Sequence, residues 1–509
     1  MWQRFTFYDF RVIAHYLGVL LVFEAVALCL PFATALIAQE WDAASRYLLA
    51  IGIALVVGTI LRMMRITPGH LNRTQAMAVT GFAWLAVALV GAIPLYMSMH
   101  YASYTDALFD SVSHFTTTNA TIIAYTNHVS HADNMWRFVM NYTGGMGLVV
   151  VAMSVGLLAR GGSSNLYSSE GRSEHVVPNV VETARFIFKF SAGVIFLAGI
   201  VLTAVLLFMG MSGTRAMLHG VWLAMSGFMT AGLAPMSTSI TYYHSVAVEF
   251  IVMTLMIMGG LNFALQNEVW NGRFHLFPRD IEVRTALIWW VGMLVVFVIA
   301  ASASSLGGGL PFLMRTGLFT FVGAATTTGF TTMTSNQMSA LLPSGAIMVL
   351  ALMMGVGASS GSTAGGIKLK RVAIMAKSAY ETMKNAMSSD SVRNVSSYQH
   401  LGRVVLDEVE VKDAMTVTMF YIVVYVIGTL AGIALGYDAL SSISESIAMA
   451  SNSGITTFTD ASMPTVLKVI YMLEMWAGRL EIVTLIALGL KIGASVLPRI
   501  SPAKVGRHD

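Results

Sequence analysis

The chain has 509 residues, 56% of them in the hydrophobic set and only 11% charged, where soluble domains carry about a quarter of charged residues. With a mean hydropathy of +0.70, an ordinary soluble protein is excluded, and the length counts membrane spans rather than soluble domains. The single cysteine, Cys29, excludes an intrachain disulfide and a multi-cysteine metal site, and the net charge of +4 reflects basic loops rather than a nucleic-acid partner.

After a short segment carrying Arg4 and Arg11, the first apolar stretch is too long for a signal-peptide core and has no convincing cleavage pattern. It opens a series of ten candidate spans: 12–39, 47–64, 76–99, 136–158, 186–210, 244–265, 285–304, an interrupted 344–376, 414–436 and 465–496. Between them lie four half-polar pieces, 103–121, 213–234, 311–331 and 439–457, each reading as a short helix followed by a turn rich in Thr, Ser and Gly. They are too short and polar to cross a bilayer, and at membrane depth such pieces are tolerated only where they line a water-filled cavity. One alone would read as an extracellular loop. Four with the same neighbours make a repeat of span, half-helix, turn and span. The expectation is an all-α integral membrane protein: two N-terminal helices over 1–73, pore units over 74–160, 183–272, 281–377 and 410–497, and cytoplasmic connections at 161–182 and 378–409.

With both termini in the cytoplasm, the segments 1–11, 62–73, 160–189, 273–284, 368–412 and 491–509 hold 24 of the 30 Lys and Arg residues, which satisfies the positive-inside rule. The opposite face carries Asp106, Asp110, Asp133, Asp438, Glu445 and Asp460. These either concentrate cations at a mouth or are plain solvated loop charges.

The four turns centre on Thr117-Thr118-Asn119, Thr230-Ala231-Gly232, Thr327-Thr328-Gly329 and Asn452-Ser453-Gly454. A bare cation needs its hydration shell replaced by oxygens, which backbone carbonyls supply when successive residues adopt unusual dihedrals. Glycine permits such dihedrals, and small hydroxyl residues keep the lane open. Each preceding half-helix also points its negative dipole end toward the centre.

The stretches Thr-Thr-Thr-x-Ala-Thr from Thr116, Ala-Thr-Thr-Thr-Gly-Phe-Thr from Ala325, Gly-Ser-Thr-Ala-Gly-Gly-Ile-Lys from Gly361 and Gly-Arg-Leu-Glu from Gly478 resemble the Trk/Ktr/HKT superfamily of cation transporters. Over the whole chain, the ten-span length looks most like its bacterial Trk branch. The resemblance implies four helix, pore helix, helix units around one pore, assembled as a homodimer in the prokaryotic inner membrane, with K+ or Na+ as the transported ion at the four turns. It implies potassium uptake, leaves open a Na+ or mixed conductor, and adds no cofactor in this chain. Two departures bear on ion preference: Asn119 stands where most members carry glycine, and the fourth turn lacks the proline common in the Trk branch.

Between 355 and 366 the run Gly-Val-Gly-Ala-Ser-Ser-Gly-Ser-Thr-Ala-Gly-Gly is too rich in glycine and hydroxyl residues to continue a lipid-facing helix. A break is expected, close packing through small residues being the alternative. The resemblance makes it an intramembrane gating loop below the filter, with Gly357, Gly361, Ser362, Thr363, Gly365 and Gly366 as its gating residues. Arg479, roughly 22 Å into the last span at 1.5 Å per residue, matches the family arginine that faces the pore and bars resting permeation. A pairing with Glu474 or Glu481 that merely fastens helices is the other reading. The resemblance also implies a ring of separate nucleotide-binding regulatory subunits on the cytoplasmic face, where 368–412 is long and basic; contact with lipid headgroups is the alternative there.

Other signals carry less. Asn119-Ala-Thr fits a glycosylation acceptor but lies in an expected pore, and Gly144-Gly145-Met146-Gly147 follows no strand, so close helix packing explains it better than a dinucleotide loop. The twelve histidines show no ligand spacing, and no cluster of nucleophile, base and orienting residue points to an enzyme. A cation-coupled secondary transporter would favour inverted repeats with midplane charges, whereas these repeats run in one orientation with nearly uncharged turns. A non-conducting scaffold would leave the four turns unexplained.

Overall fold

The computed structural model describes residues 4–66, 72–147, 180–302, 313–389, 396–480 and 482–496. The expected connection 161–182 falls almost wholly outside the described residues. Among the described residues the fold is all-α apart from one antiparallel hairpin, Ser397–His400 with Gly402–Val405, inside the expected connection 378–409. Helices form where the pattern of apolar residues and caps requires them. The first, Phe7–Ile37, is opened by a capping box in which Thr6 and Asp9 satisfy each other's orphan donors.

Six described helices are long and apolar enough to span a bilayer: Phe7–Ile37, Trp41–Arg62, Thr74–Tyr96, Arg185–Phe208, Ile281–Ser302 and Glu408–Ala434. Their outward faces are apolar without a polar stripe, as at Phe208 and Ile288, which are 93% and 75% exposed; such faces are compatible with lipid. Val246–Gly260 and Phe263–Trp270 are long and apolar enough only when taken together, and they are bent by 104°, where Asn262 caps the second piece by accepting from Ala264 N and Leu265 N. The expected count of ten is not reached by length and hydropathy, for local reasons. The fourth expected span is described only as His131–Gly145, the eighth breaks after Ser344–Gly355, and the tenth is described as Thr465–Leu480 and Ile482–Val496.

The first two helices cross at Gly18 and Gly58, whose backbones meet so closely that a Cβ on Gly18 would sit inside the Gly58 carbonyl. They are tied to the rest of the protein by Arg46 and Tyr47. The Arg46 guanidinium bonds Asp133 through two nitrogens at 3.2 Å and Tyr47 donates to the same carboxylate at 2.7 Å.

The interior inverts the usual distribution of polarity. Threonines, serines, asparagines and histidines are buried at its centre, where four short helices, Tyr104–Phe115, Gly213–Phe228, Leu318–Ala325 and Ala439–Ala450, converge. Two of them begin with a side-chain cap, Ser103 accepting from Asp106 N and Asp438 accepting from Leu440 N.

A ring of four turns and the loop beneath it

The four short helices stop in the same way. The second residue past each helix, Thr117, Thr230, Thr327 or Asn452, is left-handed, with φ of 59°, 48°, 51° and 53°. Its N–H bonds the carbonyl three residues back, and the next N–H bonds the carbonyl five residues back, as in Thr117 to His114 at 3.0 Å and Thr118 to Ser113 at 2.8 Å. The pairs Thr230 to Gly227 with Ala231 to Ser226, Thr327 to Ala324 with Thr328 to Gly323, and Asn452 to Met449 with Ser453 to Ala448 repeat it. This is the Schellman termination, which glycine normally supplies. Threonine is β-branched and pays for positive φ, so its use in three turns marks a backbone imposed by its surroundings. Two residues on, Asn119, Gly232 and Gly329 are left-handed again at 54°, 76° and 88°, whereas Gly454 is not left-handed.

The turns close on one another. A Cβ on Gly232 would overlap the Thr328 carbonyl, one on Gly329 would overlap the Gly454 backbone, and one on Gly454 would lie 2.8 Å from the Thr118 carbonyl oxygen. Asn452 also donates to Thr118 Oγ1 at 3.1 Å. The ring closes between the first and second turns through a side chain, Asn119 Nδ2 donating to the Ala231 carbonyl at 2.5 Å. All twelve predicted filter residues are thus brought together. Among the described residues, no hydrogen bond reaches the carbonyls of Thr117, Thr118, Thr230, Thr327, Thr328, Asn452 or Ser453. Buried carbonyls without protein partners are oxygens open to a cation.

Asn119 itself does not enter the lane. Its side chain turns behind the first turn, 8% exposed, where Oδ1 meets His114 Nδ1 at 2.5 Å and Asn141 Nδ2 at 3.1 Å.

The broken helix expected at 355–366 is present: Ser344–Gly355 ends, an irregular loop follows, and a helix resumes at Leu369–Ala386. The loop folds back on itself, with Gly357 packed against the Gly365 carbonyl and Ile367 N bonding Gly355 O at 3.0 Å. Gly361 and Gly366 take φ of 62° and 70°. Ser362 Oγ donates to Ser359 O at 2.6 Å.

The loop touches the ring directly. Thr363 Oγ1 is 2.9 Å from Thr230 Oγ1, Gly365 N donates to Thr327 Oγ1 at 2.8 Å, and a Cβ on Gly365 would overlap the Ser451 carbonyl. Arg479 joins the loop to the first turn. Its guanidinium donates to Thr117 Oγ1 at 3.3 Å, Thr363 O at 2.9 Å, Gly144 O at 2.6 Å and Gly145 O at 2.9 Å. The last two carbonyls end the helix His131–Gly145, whose dipole favours a cation there. Glu474, the expected alternative partner, bonds Ser446 at 3.1 Å, and Glu481 lies outside the described residues.

Other expectations are revised. Four of the acidic residues, Asp106, Asp110, Asp133 and Glu445, are buried and bonded within the protein rather than free charges at a mouth, while Asp438 and Asp460 are exposed. Asp106 pairs with Lys468 at 2.7 Å, Asp133 with Arg46, and buried Asp110 accepts from Thr121 Oγ1 and Ile122 N. Glu445 accepts from Thr457 N, Asp438 caps its helix, and Asp460 accepts from Ser462. Gly144 does serve close packing, against the Phe115 carbonyl, as Gly259 does against Phe228 and Gly478 against Ala450. Arg479 therefore occupies, in the last unit, the place of Gly145 and Gly260 in the first two.

Sequence reasoning missed the residues that hold the loop from below. Glu282 accepts from Ser360 N at 2.6 Å, Gly259 and Gly260 accept from Thr363 N and Ser359 N, and Phe263 N bonds Gly361 O. Although the histidines show no ligand spacing, the fold joins His400 of the hairpin to Asp280 at 2.9 Å, beside Glu282. The proximity of Glu282 to the broken helix carries no local sequence signal.

Comparison with known proteins identifies the family and the fold. The sequence model of the TrkH family, described as a cation transport protein, matches residues 45–495. An uncharacterized cation transporter of Methanocaldococcus jannaschii is 29% identical over 426 residues, 83% of each chain. The Trk system potassium uptake protein TrkH of Salmonella typhimurium is 26% identical over 491 residues, covering 94% of this chain and 98% of its own. In fold, the chain is similar to the crystal structure of the potassium transporter TrkH from Vibrio parahaemolyticus, with a TM-score of 0.78 at 23% identity over 94% of this chain and 98% of that one. The chain is a multi-pass membrane protein of the TrkH family of cation transport proteins, in the bacterial Trk-like part of the Trk/Ktr/HKT superfamily.

Proposed function

We propose that this protein carries K+ into the cell through the ring of four turns, as a selective pore closed from below by the loop 355–366 and Arg479. The observation that carries the reading is the ring itself: four equivalent helix ends, in contact around a circle, leave carbonyl oxygens without protein partners. The names of the Salmonella and Vibrio relatives supply the ion. Departure from glycine at Asn119 favours a second reading, a mixed K+/Na+ conductor, because its amide engages a ring carbonyl.

In this reading the loop is the gate and Arg479 its latch. Opening requires the loop to give up its bonds to Thr230, Thr327 and Arg479. Both termini lie in the cytoplasm of a prokaryotic cell. Two copies assemble as a homodimer with one pore each, since four turns in one chain already complete a ring. Separate nucleotide-binding subunits dock on the cytoplasmic side near 368–412 and supply the work of opening; co-purification from the native host tests this.

Purified protein in K+-loaded liposomes tests the function. Passive K+ efflux is expected, with a higher unstimulated rate after Arg479→Ala or deletion of the loop's centre. No flux, or flux only with a coupled H+ or Na+ gradient, would contradict a pore, and unchanged rates in both variants would contradict the gate. A mass measurement showing a stable monomer would contradict the homodimer.

A further inference from the structure

Behind the first turn lies a line of buried polar groups that none of the other turns shows among the described residues. Arg137 is fully buried on the helix His131–Gly145 and donates through Nε to His114 Nε2 at 3.1 Å. His114, also fully buried, meets Asn119 Oδ1 through Nδ1 at 2.5 Å. Asn119 and Asn141 exchange two amide bonds, at 3.0 and 3.1 Å. Asn119 Nδ2 ends the line on the Ala231 carbonyl.

Donor and acceptor rules give the line a direction. A guanidinium has only donors, so His114 Nε2 is the accepting nitrogen and the imidazole proton sits on Nδ1. That N–H must then point at the oxygen of the Asn119 amide. The amide nitrogen is left facing the neighbouring turn, where it can only donate. The orientation of Asn119 is therefore imposed from Arg137, two residues away along the line, and is not a free choice between amide rotamers.

We infer that Arg137 and His114 are positioning residues for ion selectivity, which lock the Asn119 amide so that it shares the Ala231 carbonyl with the permeant ion. This rests on the ring being the filter. A carbonyl that already accepts an N–H has one lone pair fewer to offer the ion and is partly offset by the donor's positive hydrogen, and the number and field strength of coordinating carbonyls are one of the two proposed sources of K+/Na+ discrimination. At the corresponding junctions the other turns meet through glycine backbone, and among the described residues no side chain there donates to a carbonyl of the neighbouring turn, Asn452 reaching the Thr118 hydroxyl instead. The first-to-second junction is thus the weak sector of the ring, and the line holds it weak.

The test is the K+/Na+ permeability ratio from reversal potentials of the full-length protein in planar bilayers, for Arg137→Met, His114→Gln, Asn119→Gly and the Arg137→Met/Asn119→Gly pair. Glutamine at 114 keeps a polar group but loses the imposed direction, and is the second variant should the loss of a buried arginine prevent folding. Each single change is expected to raise the ratio by about threefold, the scale of one redistributed hydrogen bond. The paired change is expected to add nothing to Asn119→Gly, because Arg137 acts only through that amide. A merely structural Arg137 would lower yield or conductance without moving the ratio. Ratios unchanged in His114→Gln and Arg137→Met, or additive in the pair, overturn the inference while leaving K+ conduction standing. Absence of current in the wild-type protein would instead overturn the function on which it rests.

Discussion

The first and third turns start from the same three threonines and share the same termination. Thr116 and Thr118 hydroxyls lie 2.9 Å apart, and those of Thr326 and Thr328 lie 2.6 Å apart. Their outer ends differ. In the third turn Gly329 lets the backbone of Gly454 press against it, and the junction closes with main chain alone. In the first, Asn119 keeps the left-handed backbone, which asparagine tolerates better than other side chains, and closes the junction with its amide. The same local sequence therefore fixes the turn, while one residue decides whether the ring is sealed by backbone or by a side chain with its own donors.

The largest expected effect comes from breaking a glycine junction. Gly329→Ala puts a Cβ into the Gly454 backbone at φ 88°, and K+ flux should fall by at least about tenfold, as a local cost above about 1.4 kcal/mol implies. Gly436→Ala, at φ 94° with open space around it, is the control and should conduct normally. Equal flux in the two would show that close approach does not shape the ring.

Next in size is the latch. Arg479→Ala removes bonds to the first turn and the loop together. Charge-assisted bonds contribute about 1.5–3 kcal/mol each, so unstimulated K+ efflux should rise about tenfold or more. Glu282→Gln weakens the hold on Ser360 N from outside the ring, and the rise should be about threefold. A larger rise for Glu282→Gln than for Arg479→Ala would place the main constraint on the loop below rather than at the ring. A change of the same size, about threefold, is expected in Asn119→Gly, in the preference for K+ over Na+ without a comparable change in conductance. An unchanged reversal potential would show that the first junction differs in form but not in function.

Much of this was legible in the residues. The four turns, the broken helix and Arg479 announce themselves because each breaks a local rule: polar residues at membrane depth, glycine in a helix, a charge far from water. What escaped was long-range. Asn119 could have faced the lane or away from it, and only the packing of His114 and Asn141 behind the turn decides. The acidic residues read as mouth or loop charges, and partners distant in sequence, Lys468 for Asp106 and Arg46 for Asp133, turn two of them into braces. A hydropathy window likewise does not see the 104° bend after Gly260, since residues on both sides of it are apolar.

The central claim is that cations bind where the four turns of one chain meet. Anomalous scattering from crystals grown in Rb+ or Tl+ tests it most directly. A peak is expected on the axis enclosed by the carbonyls of Thr118, Ala231, Thr328 and Ser453, above the loop and Arg479. Strong peaks elsewhere in the protein with none inside the ring, at ion concentrations that support transport, would contradict it.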